Sequence, residues 1–273
     1  MAELSEIGHI EYEGAYQVLY QGEAPPAGKT DWDVKTPWDI GEAQPCVVAL
    51  EESGGFNGDV VDVGCGLGGN SSFLASRGYR VTGLDIAPTA IEQARERALA
   101  SGVEVDFTVA DATSLVGYED RFDSILDSGL YHCLIGDEAR RSYVAALSRV
   151  SKPGARLHIF CLSDELPDEW GGGVSEQNLR DIVTGVWTIS SIEPTRYKTS
   201  MTGDDLFKNV QMMLNAADPS RSTPLRTEGH ESVSRATASG RDIVIAQSQF
   251  GEFETDEQGR VYLPVWHLTA HRS

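Results

Sequence analysis

The residues best suited to chemistry lie in DVGCGLGGN, residues 62–70, between an apolar run and a stretch with helical patterning. Gly64, Gly66 and Gly68 remove side chains where a backbone must turn sharply and lie against a ligand. The helix that follows offers unpaired N–H groups. Gly64, Gly66 and Gly69 also satisfy GxGxxG, so the glycines alone do not separate a dinucleotide from another adenosine-bearing ligand. Cys65, inside the turn, reads as a small packing residue rather than a nucleophile.

Three carboxylates narrow the choice. Asp62, at the entrance of the turn, repels a pyrophosphate but can hold the ammonium group of a methionine moiety, directly or through water. Asp85 follows 23 residues later, at the end of the next apolar run, where a carboxylate can accept both ribose hydroxyls. Asp111, followed by Ala112, closes a third run and is placed to read an adenine amino group and ring nitrogen. Taken alone, Asp111 reads first as a turn cap. Asp62 favours S-adenosylmethionine over a nicotinamide dinucleotide, either cofactor would use Asp85, and Asp111 gains weight in sequence with the two.

The elements that must position these residues alternate. Strands are expected over 59–63, 80–84, 105–110, 122–127, 156–161, 187–193 and 265–270, and helices from Pro45 and Gly69 and over 88–101, 137–150 and 175–184. Helix 88–101 places Ala90, Ile91, Ala94 and Ala98 on one face. A turn is expected at Lys152-Pro153-Gly154, and Pro264 is expected just ahead of the last strand. Such alternation implies an α/β fold with a doubly wound, mainly parallel sheet. The pattern does not explain about seventy residues after Glu193. Within them 203–216 look helical, with Met212-Met213 as core or as the cap of an apolar pocket, and 217–240 read as a mobile, polar segment.

DVGCGLG, GLDIAPTAIEQA, VADAT and FDSILDSGLYHCL resemble, in order and spacing, the successive motifs of class I S-adenosylmethionine-dependent methyltransferases, over roughly residues 38–162. PWDIGEAQP at 37–45 and LDSGLYHCL resemble the thiopurine/halide–thiol methyltransferase group, and especially the mycobacterial heterocyclic toxin methyltransferases. The resemblance implies a Rossmann-like sheet of seven strands whose last strand is antiparallel. It implies a methyltransferase domain over 41–273, with an insertion at about 197–250, behind an N-terminal lead-in and candidate lid at 1–40. By the same resemblance Trp38 and Gly41 flank the cofactor, Gly64, Cys65 and Gly66 touch its amino-acid portion, Asp85 and Ile86 its ribose, and Asp111 and Ala112 its adenine. Asp127 then lies near the donor methyl, as a catalytic and cofactor-binding residue.

Methyl transfer from a sulfonium disperses charge, so alignment in a water-poor pocket supplies much of the acceleration and a dedicated base is not required. Phenols, hydroxyquinolines and thiols, partly anionic near neutrality, fit better than aliphatic alcohols. A small aromatic or heterocyclic acceptor, methylated on O, N or S in a detoxifying role, is therefore expected. His132 is a candidate to accept a proton or a hydrogen bond, evenly balanced against a structural imidazole. Cys133 beside it is a weak catalytic candidate, and Tyr16, Tyr20 and Trp170 are candidates for an apolar lid on the acceptor, or for ordinary packing. His158, His267 and His271 read as structural or exposed, His9 and His230 fall in polar segments, and no metal cluster is expected.

The remaining composition excludes more than it selects. A formal charge of −20, from 22 basic and 42 acidic residues, argues against nucleic acid and anionic lipid. With 40% hydrophobic residues, no long apolar run and four scattered cysteines, a cytoplasmic monomer or homodimer with reduced thiols is expected. The alternatives are an NAD(P)-dependent oxidoreductase and a non-catalytic S-adenosylmethionine-binding protein.

Overall fold

A computed structural model describes residues 36–166, 173–206, 223–228, 231–238, 241–246 and 253–273. Tyr16, Tyr20, Trp170, His9, His230 and Met212-Met213 lie outside them. The main sheet runs β3-β2-β1-β4-β5-β10-β6, from β1 (Asp59–Val63), β2 (Arg80–Asp85), β3 (Asp106–Val109), β4 (Phe122–Ser128), β5 (Ser151–Leu162), β6 (Thr188–Thr202) and β10 (Arg260–His271). The neighbours from β3 to β5 are parallel, and β10 is antiparallel to both β5 and β6. The expected seven strands with one antiparallel strand are therefore present. The order reverses between β1 and β4, and their carboxyl ends form the crevice where such sheets take ligands.

The sheet is sandwiched because its central strands are apolar on both faces. On one face Val61, Val63, Ile125, Leu157 and Ile159 meet α4 (Gly136–Val150) and α5 (Glu176–Val183). On the other, Val60, Leu126 and Phe160 meet Val47 of α1 (Pro45–Glu52) and Leu74 of α2 (Gly69–Ser76). The remaining helix, α3 (Pro88–Ser101), begins with Pro at its first turn and ends at a left-handed Gly102, and it buries Ala90, Ile91, Ala94 and Ala98 as its stripe requires. Ser175 caps α5 by accepting from Asn178 N at 3.1 Å.

Several boundaries differ from the pattern. Lys152-Pro153-Gly154 belongs to β5, where a register shift beside Phe122 absorbs the turn residues and Gly154 N reaches Arg272 O. β6 runs on to Thr202, so the stretch expected to leave the repeating unit near 197 begins inside a strand. Pro264 lies within β10. Its carbonyl accepts from Ser163 N, just past the end of β5, so the missing N–H costs only the last bond of that ladder. Residues expected to be mobile instead form a three-stranded antiparallel sheet of β7 (Thr223–Glu228), β8 (Glu231–Ala238) and β9 (Arg241–Ala246). The expected helix is seen over 203–206, and the rest of 203–216 lies outside the described residues.

Candidate active site

Parallel register brings the candidate residues to one edge. Val63 pairs with both Leu84 and Asp127, and Asp85 pairs with Val109, so the ends of β1, β2, β3 and β4 are level. The glycine turn hangs from β2: Gly64 N and Cys65 N both donate to Leu84 O, at 2.7 and 2.9 Å. Gly64 has φ +74°, and a Cβ there would stand 2.9 Å from Leu130 Cβ, so the position excludes other residues both conformationally and sterically. Asp85 braces the turn from below, its Oδ2 accepting from Gly66 N and its Oδ1 from Ala87 N, each at 2.9 Å. Burial raises its carboxyl above the ordinary range.

Asp62 is 1% exposed. Its Oδ2 accepts from Ser71 Oγ at 2.6 Å, while its Oδ1 has no partner. Burial, with a smaller push from the Asp85 charge, moves its carboxyl up to about 6. A buried carboxylate oxygen without a donor is costly, and a cation supplied by a ligand relieves that cost. The donor set therefore fits a zwitterionic amino-acid group lying on the glycine turn.

Asp111 Oδ1 accepts from Thr113 N and Thr113 Oγ1, both at 2.8 Å, so a turn cap is part of its role. Trp38 packs on Ala87 and Ala90 at the start of α3, beside Leu67 of the glycine turn. Gly41 N donates to Asp39 Oδ1, and the Asp39 carboxylate takes a fork from Arg97 of α3. Gln44 completes this strap. Its side chain accepts from Lys198 N at 3.0 Å and donates to Lys198 O at 2.9 Å, joining the strap to β6. Gln44 sits inside PWDIGEAQP, but side-chain pairing with a strand 154 residues away has no local signature.

Asp127 departs from expectation. Rather than facing the crevice it is fully buried, with Oδ1 accepting from Leu130 N and Tyr131 N and Oδ2 from Tyr143 Oη, at 2.8, 3.3 and 2.9 Å. Burial moves its carboxyl up to about 7. The physical reason is the sharp turn after β4, whose free N–H groups need an acceptor and find the nearest carboxylate. That turn carries His132 in a short 3-10 segment, Tyr131–Cys133. His132 Nδ1 accepts from Leu162 N at 3.3 Å, and burial with the nearby Arg140 charge lowers its imidazole to about 4. Tyr197, from the end of β6 that sequence reasoning left unassigned, donates to Ser128 O at 3.0 Å. A Cβ on Gly129 would lie 3.7 Å from both His132 Cε1 and Tyr197 Oη, so both rings stand beside the turn after β4.

The histidines of β5 and β10 lie elsewhere. His158 and His267 face each other at 3.2 Å, the former on Gly55 O and the latter stacked on Phe160. None of the four cysteines is in a disulfide, and burial moves the Cys46 thiol up to about 12 and raises those of Cys65 and Cys161 well above the ordinary value. Among the described residues no group of three or more His, Cys, Asp or Glu could hold a metal, and no helix is long and apolar enough to cross a membrane.

Residues 60–154 match the family model described as a methyltransferase domain. The chain is 39% identical over 185 residues to a 2-heptyl-1-hydroxyquinolin-4(1H)-one methyltransferase of Mycobacteroides abscessus, covering 66% of this chain and 79% of that one. A tocopherol O-methyltransferase of Arabidopsis thaliana is 25% identical over 241 residues, 71% of this chain and 68% of that one. Among solved structures, one described as the conversion of a disulfide bond into a thioacetal group during echinomycin biosynthesis is 31% identical, with a TM-score of 0.66 over 96% and 93% of the two chains. An S-adenosylmethionine-dependent methyltransferase from Anabaena variabilis shares the fold at 14% identity, with a TM-score of 0.58 over the same shares. An unpaired carboxylate under a glycine turn, level strand ends and these likenesses agree: the chain belongs to the S-adenosylmethionine-dependent methyltransferases.

Proposed function

We propose that this enzyme methylates a small aromatic or heterocyclic acceptor, on oxygen, nitrogen or sulfur, as a cytoplasmic monomer or homodimer that engages neither nucleic acid nor membrane. The observation that carries the acceptor class is the 39% identity over 185 residues to a hydroxyquinolinone methyltransferase. The −20 charge supports the exclusion of nucleic acid. In this reading the methyltransferase domain spans 41–273, with its insertion inside about 197–250 and a lead-in over 1–40.

The donor supplies an electrophilic methyl on a sulfonium; the protein holds and orients. Asp62 Oδ1 receives the ammonium, and the backbone of Gly64, Cys65 and Gly66 lies against the methionine part. Asp85, already held from two sides, offers its remaining lone pairs to the ribose beside Ile86, and Asp111 with Ala112 meets the adenine. Trp38 and Gly41 close over the nucleoside, on a strap tied to α3 and β6. Asp127 acts through the turn it caps, as a positioning residue for His132 rather than a group touching the methyl. His132 meets the acceptor, with Tyr16, Tyr20 and Trp170 assigned to its apolar cover.

The test is turnover of a panel of hydroxyquinolinones, phenols, thiols and halide with methyl-labelled donor, read by product mass. Labelled product from an aromatic or heterocyclic acceptor supports the reading. Donor binding with no turnover of any acceptor would instead make the chain a binding protein.

A further inference from the structure

The geometry assigns His132 the role of hydrogen-bond donor, through Nε2–H, to an acceptor that arrives already deprotonated, so that the enzyme selects acidic hydroxyl, N-hydroxyl or thiol groups instead of generating the nucleophile. This rests on the acceptor class proposed above. The key contact is the backbone: Leu162 N–H points at His132 Nδ1 at 3.3 Å, so Nδ1 must present its lone pair. A neutral imidazole then carries its proton on Nε2. Among the described residues none hydrogen-bonds to Nε2, and the ring is only half-buried. Taking up a second proton would turn an Nδ1–H against the Leu162 N–H, two donors face to face, which makes His132 a poor base.

The neighbours point the same way. Arg140 of α4, whose Nε donates to Leu134 O, places a fixed positive charge near the ring, which disfavours imidazolium and favours an anion beside it. Tyr197 of β6 has its hydroxyl proton committed to Ser128 O, and burial keeps the phenol protonated. Asp127 of β4 is spent on Leu130 N, Tyr131 N and Tyr143. Cys161 of β5 is buried and held as a thiol. In the step itself the acceptor has lost its proton to solvent before binding. Its oxygen or sulfur lone pair forms the bond to the methyl carbon as the carbon–sulfur pair leaves with the donor sulfur, so no proton moves inside the site.

The experiment measures kcat/KM against pH, at saturating donor, for acceptors of graded acidity: 1-hydroxyquinolin-4-one, 4-nitrophenol and phenol. The expected ascending limb moves with each acceptor's own pKa. His132→Ala should lose about tenfold to a hundredfold at every pH, the worth of one hydrogen bond to a charged group, without moving the limb. His132→Gln, which keeps an N–H, should recover most of the rate. Wild-type profiles need no variant, and binding of S-adenosylhomocysteine to each variant shows that its fold is intact. One common limb for all acceptors, or recovery of His132→Ala at high pH, would restore the base and overturn the inference. Turnover of none of the acceptors by the wild type would refute the acceptor class, and this inference with it.

Discussion

Replacing Asp62 by asparagine separates what the site does for the ligand from what it does for the fold. The carboxamide keeps an oxygen toward Ser71 Oγ but turns an NH2 into the position of the unpaired Oδ1, so it offers a donor to an ammonium that is itself only a donor. Loss of a hydrogen bond to a charged group amounts to about 1.5–3 kcal/mol, or roughly tenfold to a hundredfold weaker binding. The fold responds in the opposite direction. In the native chain burial holds the Asp62 carboxyl protonated up to about pH 6, whereas unfolded it ionises near 3.8. The stability from that protonation is complete below 3.8 and is lost as pH rises through 6, leaving an ionised carboxylate buried at pH 8. The loss is on the order of 3 kcal/mol, and asparagine escapes it. Calorimetry with S-adenosylhomocysteine and thermal melts of the free protein read the two effects. Asp62→Asn should bind at least tenfold more weakly at pH 8 while melting roughly 6–12 °C higher, with the melting difference closing by pH 4. Unchanged affinity, or a variant that melts lower at pH 8, refutes the reasoning.

Gly64→Ala should destabilise the chain by about 1–3 kcal/mol, through its positive φ and the clash with Leu130, and should weaken donor binding; urea melts and calorimetry measure both. Tyr143→Phe removes the hydroxyl on Asp127 Oδ2. It should lose about 1.5–3 kcal/mol at pH 8, where Asp127 is ionised, and less at pH 5, below its value of about 7. The facing His158 and His267, lowered to about 4 and 3, contribute stability that is whole above 6.5 and lost as pH falls toward those values. His267→Phe, still able to stack on Phe160, should flatten that acid limb in a pH series of melts.

Much of the sheet was legible because parallel strands buried on both faces leave dense apolar runs such as DVVDV, separated by helices whose alanine stripes repeat with helical spacing. The glycine turn and the carboxylates at the carboxyl ends of β1, β2 and β3 were legible for a related reason: each lies where its own strand ends. What stayed hidden depends on partners far along the chain. Gln44 looks like a helix N-terminus residue until β6 lies beside it, and Tyr197 falls where strand patterning weakens. The burial of Asp127 was not legible, because strand position tells which edge a residue occupies, not whether the next turn claims its side chain. For His132 the edge was legible, but the direction of its hydrogen bond depends on Leu162.

In the proposed reading Asp62 and the glycine turn receive the amino-acid end of the methyl donor. A crystal structure with S-adenosylhomocysteine tests it most directly. The expected result is the ligand amine within hydrogen-bond distance of Asp62 Oδ1, directly or through one water, with the ribose at Asp85. An amine pointing away from Asp62, with Oδ1 still unpartnered beneath the turn, would contradict it.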